Sequence, residues 1–178
     1  MRRRLPGQVA LLAFLLSPMI LPHLIIAVAL FYLYAKIGLI GSSLGLVIGH
    51  TVIAVPYVVI TVMAVLKSYD ERLDQAAATL GASPIATLRR ITLPLIRPGI
   101  VSAAIFAFII SFDELTIALF TTGGLTATLP KQMWDDAIMK VSPALAAVST
   151  LMLLFVSAMV VTAEWLRRRS IAGEATSQ

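Results

Sequence analysis

Long stretches without a charged side chain constrain the fold of this sequence more than any other feature. The five longest of these intervals are 5–35, 37–66, 98–112, 115–130 and 141–163. Hydrophobic residues make up 59% of the chain and charged residues only 13%, more apolar surface than a soluble core buries. Because a helix needs about 20 apolar residues to cross a bilayer, the chain is predicted to be an all-α, polytopic transmembrane helical bundle.

The intervals predict about four transmembrane helices. Intervals 98–112 and 115–130 are each too short to cross a bilayer alone, but they join into one helix if Asp113 and Glu114 lie inside it. The predicted spans are then 9–34, 43–66, 98–120 and 142–165. Residues 1–178 are accordingly predicted to form a single transmembrane domain.

The distribution of basic residues predicts the orientation of these spans. Eleven of the 14 lie on one side of the four-span arrangement, at positions 2–4, within 67–97 and at 167–169, whereas Lys36, Lys131 and Lys140 lie on the other. Because short loops rich in Lys and Arg stay cytoplasmic, both termini and segment 67–97 are predicted to be cytoplasmic. The net charge of +5 follows from this topology and gives no case for nucleic acid. The absence of cysteine excludes a disulfide framework and a thiolate metal site.

Residues 67–97, called the polar segment below, begin with the signals of a short helix. Asp70 is predicted to cap its start, and Gly81 is predicted to end it in the left-handed conformation. Its apolar stripe consists of Leu73, Ala76, Ala77 and Leu80. A tight corner is expected directly after Gly81.

A second short helix is predicted after the corner. Ser83 can cap it, with Pro84 at its first position. Arg89 and Arg90 are predicted to lie near its carboxyl end, where cations favour the helix dipole. Pro94 and Pro98 are predicted to break the chain before the next span.

The spacing of the polar segment resembles that of a known loop. Ala76-Ala77 precede Gly81, and Ile91-Thr92-Leu93-Pro94 follow it after nine further residues. This pattern is similar to the cytoplasmic EAA loop of the membrane subunits of binding-protein-dependent ABC importers. The resemblance implies that the loop helix couples the spans to an ATP-hydrolysing subunit, and it assigns the coupling role to Gln75, Ala76, Ala77, Gly81, Ile91, Leu93 and Pro94. Gln75 stands where the family has glutamate, with Asp74 beside it, and this departure puts any salt bridge of that glutamate in doubt. An amphipathic hairpin on the membrane surface also fits the segment.

The resemblance extends over nearly the whole chain and is strongest to the spermidine/putrescine permease subfamily. It is carried by the sequence at positions 80–83, 111–114, 122–124 and 141–143, which reads LGAS, SFDE, TGG and VSP. It implies a type I ABC importer permease-like fold with a coupling-helix loop, in a multi-pass protein of the bacterial inner membrane. It also implies an ABC ATPase subunit, a second permease subunit (homo- or heterodimer) and an extracytoplasmic substrate-binding protein as partners, with a polyamine as the solute. Against a six-span family, the chain resembles the last four spans.

No G-x-x-x-x-G-K-[ST] phosphate loop occurs in the sequence, so the chain is not expected to bind ATP or another cofactor directly. ATP would be used by a partner chain, and the permease itself is not expected to be an enzyme. Gly41 to Gly45 fits a G-x-S-x-G pattern, but that motif requires a strand-to-helix turn, which nothing in the sequence indicates. Gly41, Gly45 and Gly49 instead predict a small-residue face for helix packing.

Polar residues within the spans are the candidates for a translocation path: Asp113, Glu114 and His50. Counting from Gly99 at 1.5 Å per residue places Asp113 roughly 21 Å along its helix, toward the outer face. Neighbouring helical residues point about 100° apart, so one carboxylate is expected to line the path while the other is structural. A carboxylate satisfied by a helix terminus or by a hydroxyl is the competing interpretation, and His23 and His50 can equally bond a neighbouring helix.

Two other functions remain open on the sequence alone. The first is a self-contained secondary transporter or channel fragment driven by an ion gradient. The second is a non-functional truncated permease. The absence of an internal repeat in the sequence argues against the first.

Overall fold

The computed structural model describes residues 7–123, 126–139 and 143–175. Residues 2–4, Gly124, Lys140, Val141 and Ser142, used above for the orientation and the motifs, lie outside these ranges. All regular secondary structure within them is helical, which confirms the all-α prediction. The helices are α1 (Gln8–Ile20), α2 (His23–Ile37), α3 (Ser43–Ser68), α4 (Arg72–Thr79), α5 (Pro84–Thr87), a π-helical turn (Leu88–Thr92), α6 (Leu93–Phe112), α7 (Thr116–Thr121), α8 (Leu129–Met139) and α9 (Pro143–Ala175).

Three described helices are long and apolar enough to cross a membrane, namely Ser43–Ser68, Pro84–Phe112 and Pro143–Trp165. A fourth candidate is the pair Gln8–Ile20 and His23–Ile37, which meet at an angle of 104°. The predicted number of about four spans is therefore reached when the bent pair counts as one. The predicted spans 43–66 and 142–165 agree with α3 and with the described part of α9.

The predicted helix 9–34 is wrong as a continuous element. Leu21 leaves the helical region, with φ −84° and ψ 140°, because the ring of Pro22 disfavours the α conformation of the residue before it. Pro18, in contrast, lies inside α1 without ending it. The chain therefore turns sharply after α1, and His23 becomes the first residue of α2.

The predicted helix 98–120 is also wrong at both ends. The apolar helix begins at Pro84 and ends at Phe112, so Asp113 and Glu114 lie after the helix instead of inside it. Pro94 and Pro98 do not break the chain, and Arg89 and Arg90 lie mid-helix in the π-helical turn. A proline crowds the carbonyl four residues before it, which for Pro94 is the carbonyl of Arg90. This carbonyl lies in the π-helical turn, where the wider helix relieves the crowding.

Helices α3 and α6 pack against each other most closely where Gly99 faces Val65. A Cβ atom on Gly99 would lie 2.3 Å from Val65 Cγ2, so only glycine allows this approach. Helix α9 also packs on α6, and α1 packs on α3. The buried apolar core consists of Ile26, Ala27, Ile53 and Ile117, from α2, α3 and α7.

The predicted glycine face is confirmed for two of its three members. Gly45 and Gly49 are buried in α3, and a Cβ on Gly49 would lie 2.7 Å from Ile117 Cγ2 of α7. Gly41 precedes α3 and forms a turn with φ +73°. Its amide donates to the Thr121 carbonyl at 2.9 Å. This hydrogen bond connects the turn before α3 to the end of α7.

Candidate functional site

The functional candidates lie at opposite ends of α3 and α6. We call the end that carries the polar segment the loop end, and the end that carries Asp113 and Glu114 the carboxylate end. The 26 residues of α3 separate the two by about 39 Å at 1.5 Å per residue.

The corner of the polar segment forms as the sequence predicts. Gly81 has φ +80°, and its amide donates to the Ala78 carbonyl while the Ala82 amide donates to the Ala77 carbonyl. These two bonds make a Schellman motif, which the left-handed glycine permits. A Cβ on Gly81 would meet no atom within 4 Å, so the conformation of the backbone is the reason for glycine here.

Both predicted helix starts in the polar segment are confirmed by their hydrogen bonds. Asp70 Oδ1 accepts from the Arg72 amide at 2.9 Å. Ser83 Oγ accepts from the Ala86 amide at 3.3 Å, and Pro84 occupies the first turn. The local signals of capping and turn residues therefore act as expected.

The predicted coupling residues are divided between α4 with its corner and the continuous helix that begins at Pro84. Gln75, Ala76 and Ala77 belong to α4, with Gly81 at the corner after it, whereas Ile91, Leu93 and Pro94 belong to the π-helical turn and the start of α6. Of the predicted apolar stripe only Ala77 is buried. Leu73 and Leu80 are 42% and 87% exposed, and Ile85 of α5 is 71% exposed. Most large apolar side chains of α4 and α5 are therefore turned outward.

Asp74 is the side chain that connects α4 to the spans. Its Oδ1 accepts a hydrogen bond from the Tyr69 hydroxyl at 2.6 Å and another from the Thr92 hydroxyl at 3.2 Å. The three side chains line a cavity of about 510 Å³ between α4, α5 and the end of α3. Burial and the hydrogen bond to Asp74 raise the pKa of Tyr69. No local sequence pattern marks Tyr69 and Thr92 as hydrogen-bond partners of Asp74, because their spacings from Asp74 match no helix or turn motif.

At the carboxylate end, Glu114 is buried and has a structural partner on each oxygen. Its Oε1 accepts from the Ile117 amide at 2.8 Å, in the first turn of α7. Its Oε2 lies 3.1 Å from His23 Nδ1 at the start of α2. The Glu114 side chain is 5% exposed, whereas Asp113 is exposed. The two neighbouring carboxylates therefore have different environments, and the break after Phe112 creates the difference.

His50 bonds a neighbouring helix. Its Nδ1 lies 2.9 Å from Ser111 Oγ of α6, and its Nε2 is buried without a hydrogen-bond partner among the described residues. Both side chains line a mostly apolar cavity of about 520 Å³ that also reaches Thr128 and Pro130. Asp113 and Glu114 are not among its lining residues, so the three path candidates do not meet in one cavity.

Two further observations complete the carboxylate end. Helix α8 carries an ion pair between Lys131 Nζ and Asp135 Oδ2 at 2.7 Å, and its Trp134 side chain is 46% exposed. Among the described residues no group of three or more His, Cys, Asp and Glu side chains is placed to hold a metal ion.

Comparison with solved structures supports the fold. An inward-facing conformation of the MetNI methionine ABC transporter matches with a TM-score of 0.69 and 20% identity, over 91% of this chain and 73% of the matched chain. At that identity the likeness bears on the fold alone. It confirms the prediction of an importer-permease-like helical bundle.

Comparison with curated proteins and family models identifies the family. The spermidine/putrescine permease PotC is 31% identical over 169 residues in Haemophilus influenzae and 30% identical over 172 residues in Escherichia coli K12. These alignments cover 95% and 97% of this chain but 66% and 65% of the relatives, so the chain spans slightly less than two thirds of their length.

The molybdenum permease ModB of Mycobacterium tuberculosis is 33% identical over 162 residues, which cover 83% of this chain and 61% of that protein. The model for binding-protein-dependent transport system inner membrane components matches residues 1–171. With nearly the whole described chain inside that match, the protein belongs to the family of binding-protein-dependent transport system inner membrane components.

Proposed function

We propose that this chain is a transmembrane subunit of an ATP-driven ABC importer and that its polar segment docks on an ATP-hydrolysing partner. The corner at Gly81 carries this proposal. Two short capped helices meet there, and the corner is flanked by Leu80 and Ile85, which are 87% and 71% exposed. Large aliphatic side chains this exposed on both sides of one corner favour a protein partner that covers them.

The helix that follows the corner supports a coupling role over an amphipathic hairpin at the membrane surface. From Pro84 to Phe112 the chain is one apolar helix of 29 residues, so the docking element and a membrane span are parts of the same rod. Ile91, Leu93 and Pro94 lie within this rod. A displacement of the corner would therefore reach the carboxylate end through one uninterrupted helix, as a coupling device requires.

We assign the two carboxylates different roles in transport. Glu114 holds α7 and His23 in place, which makes it a structural residue. Asp113 is exposed at the end of α6 and is the carboxylate proposed to line the path. His50 and its cavity between α3 and α6 form a second candidate surface of the path, since one imidazole nitrogen there has no hydrogen-bond partner among the described residues.

A polyamine is the proposed solute. Two of the similar proteins are named as spermidine/putrescine permeases and one as a molybdenum permease, so similarity alone supports more than one kind of cargo. The exposed carboxylate of Asp113 favours a cation, because it attracts an ammonium group and repels an oxyanion.

The remaining partners and the orientation are part of the same proposal. Both termini and the polar segment face the cytoplasm of a bacterial cell, and the spans lie in its inner membrane. A second permease subunit completes the path, and an extracytoplasmic binding protein delivers the solute near α8. ATP is consumed by the partner ATPase, with no cofactor held by this chain.

The test is a gentle detergent purification of the tagged chain from native membranes, with identification of co-purifying proteins and an ATP hydrolysis assay. Gly81→Val is the diagnostic variant because a β-branched residue is strained at positive φ. Gly38→Val is its matched control, since Gly38 ends α2 with φ +73° and also has open space around its Cβ position.

The proposal expects an ATPase subunit to co-purify with the wild type and with Gly38→Val, and to be lost with Gly81→Val. Uptake of labelled spermidine, compared with uptake of molybdate, tests the solute. A wild-type chain that purifies without an ATPase would instead favour the secondary transporter or the truncated permease.

A further inference from the structure

One oxygen of Asp74 joins three parts of the loop end. Asp74 lies in α4, Tyr69 follows the last residue of α3, and Thr92 ends the π-helical turn just before α6. The hydroxyls of Tyr69 and Thr92 both donate to Asp74 Oδ1, at 2.6 Å and 3.2 Å. The carboxylate therefore bridges the ends of two spans and the helix between them.

The two spans joined in this way also pack directly on each other. Val65 of α3 and Gly99 of α6 are in close contact, one turn to two turns inside the bridge. Thr92 is 8% exposed, so its hydroxyl has little water to bond instead of the carboxylate. A charged acceptor forms stronger hydrogen bonds than a neutral one. The bridge is thus supported by packing on its membrane side.

Two short backbone links hold α4, namely the link from α3 and the corner at Gly81 that leads to the helix beginning at Pro84. Only Tyr69, Asp70 and Glu71 connect α3 to α4, and Tyr69 is extended with φ −71° and ψ 129°. Small rotations in these two links would tilt α4 relative to both spans. The side-chain bridge opposes that tilt, because Tyr69, at the start of the link from α3, and the body of α4 meet at the same oxygen.

We infer that Asp74 is a positioning residue, which holds α4 in one orientation relative to α3 and α6 so that a displacement of α4 moves both spans together. This inference rests on the proposed coupling function. It also supplies an anchor inside the polar segment, beside the position where Gln75 replaces the family's glutamate. The Tyr69 phenol is a donor at neutral pH, because the ordinary pKa of a phenol is about 10 and burial shifts the pKa of Tyr69 further upward.

The first experiment measures the orientation of α4 in the isolated chain, without any partner. The sequence contains no cysteine, so Ala76→Cys and Leu95→Cys place spin labels only on α4 and α6, at exposed positions. In nanodiscs the label-to-label distance should be narrowly distributed. Asp74→Ala should broaden the distribution, and Asp74→Asn should keep it narrow, since an amide oxygen still accepts both hydrogen bonds.

Two more variants separate the bridge from a general loss of structure. The double variant Tyr69→Phe with Thr92→Val keeps the side-chain volumes and removes both donors, and it should broaden the distribution as Asp74→Ala does. Thr79→Ala is the matched control, because the Thr79 hydroxyl bonds only the Gln75 carbonyl of its own helix. Unchanged widths in the double variant would overturn the inference, whether or not Asp74→Ala accumulates in the membrane.

The second experiment measures coupling in the complex purified with its ATPase and reconstituted with spermidine as the probe. The double variant should bind the ATPase normally but transport about tenfold less spermidine per ATP hydrolysed, the scale expected for losing bonds to one charged group. A broadened distance distribution with an unchanged amount of spermidine transported per ATP would show that Asp74 orders the loop without contributing to coupling. Failure of the wild type to bind an ATPase would reject the proposed function, while leaving the distance measurement valid.

Discussion

Each end of the bundle uses one carboxylate to hold helices together, but the two carboxylates join different kinds of structure. At the loop end, Asp74 accepts from two neutral hydroxyls and ties α4 to two spans. At the carboxylate end, Glu114 caps a six-residue helix and pairs with His23. Asp74 connects helices that continue into the membrane, whereas Glu114 connects α7 and α2, which both begin directly after a break in the helix.

The difference shows where this fold is rigid and where it is segmented. The polar segment continues into α6 without a break in the helix, even across Pro94 and Pro98. At the carboxylate end the chain leaves the helix at Leu21, before Pro22, and again after Phe112. We therefore expect substitutions at the carboxylate end to reduce stability, and substitutions at the loop end to alter mainly the orientation of α4.

The largest effect is expected for Glu114→Ala, which leaves the buried Ile117 amide without its acceptor and removes the partner of His23. An unsatisfied buried donor plus a lost bond to a charged group should lower the free energy of unfolding by about 2–3 kcal/mol. Unfolding in mixed micelles measures the change. Asp113→Ala is the control and should be nearly neutral; equal damage from the two variants would contradict the division between a buried and an exposed carboxylate.

Gly99→Ala is expected to come next, because it tests whether the two ends share one rigid helix pair. The added Cβ would lie 2.3 Å from Val65 Cγ2, and overpacking of this kind should cost about 2 kcal/mol. Combining it with Val65→Ala should recover part of the loss in the same unfolding assay. A single variant as stable as the wild type would show that α3 and α6 separate easily.

A smaller loss of about 1 kcal/mol is expected for Ser111→Ala, the cost of one hydrogen bond. The variant leaves His50 Nδ1 without the Ser111 hydroxyl, while Nε2 already lacks a partner among the described residues. Ser149→Ala is the control, since the Ser149 hydroxyl bonds only the carbonyl of Leu145 in its own helix. Identical melting of the two variants would show that the contact between α3 and α6 at His50 contributes no stability.

The smallest effect is expected from raising the pH into the alkaline range. This change should alter the orientation of α4 at the loop end only. Burial and the carboxylate of Asp74 raise the pKa of Tyr69 above its ordinary value of about 10. The stabilisation is therefore fully present below that ordinary value and is lost as the pH rises through the raised pKa, when a phenolate would face Asp74. The distance between α4 and α6 should broaden in this range in the wild type, and Tyr69→Phe should remove that pH dependence.

Local signals in the sequence predict the corner and its caps correctly. Gly81, Asp70 and Ser83 act through bonds to residues within five positions of themselves, so their roles follow from the neighbouring sequence. The prediction of a continuous span 9–34 and the prediction of a break at Pro94 and Pro98 fail in opposite directions. Leu21 leaves the helix before Pro22, whereas the π-helical turn accommodates Pro94, and composition does not distinguish the two cases.

The sequence by itself determined the family, the all-helical membrane fold and the position of the polar corner, because hydropathy, turn chemistry and motif spacing are properties of consecutive residues. Only the tertiary structure decided that Glu114 is buried while Asp113 is exposed, that His50 meets Ser111 and that Asp74 joins two spans. The partners in the contacts at His50 and Asp74 are 61 and 18 residues apart. Hydrogen-bonded pairs so far apart in sequence form only when helix packing, as at Gly99, brings the two helices together. No local sequence pattern can predict them.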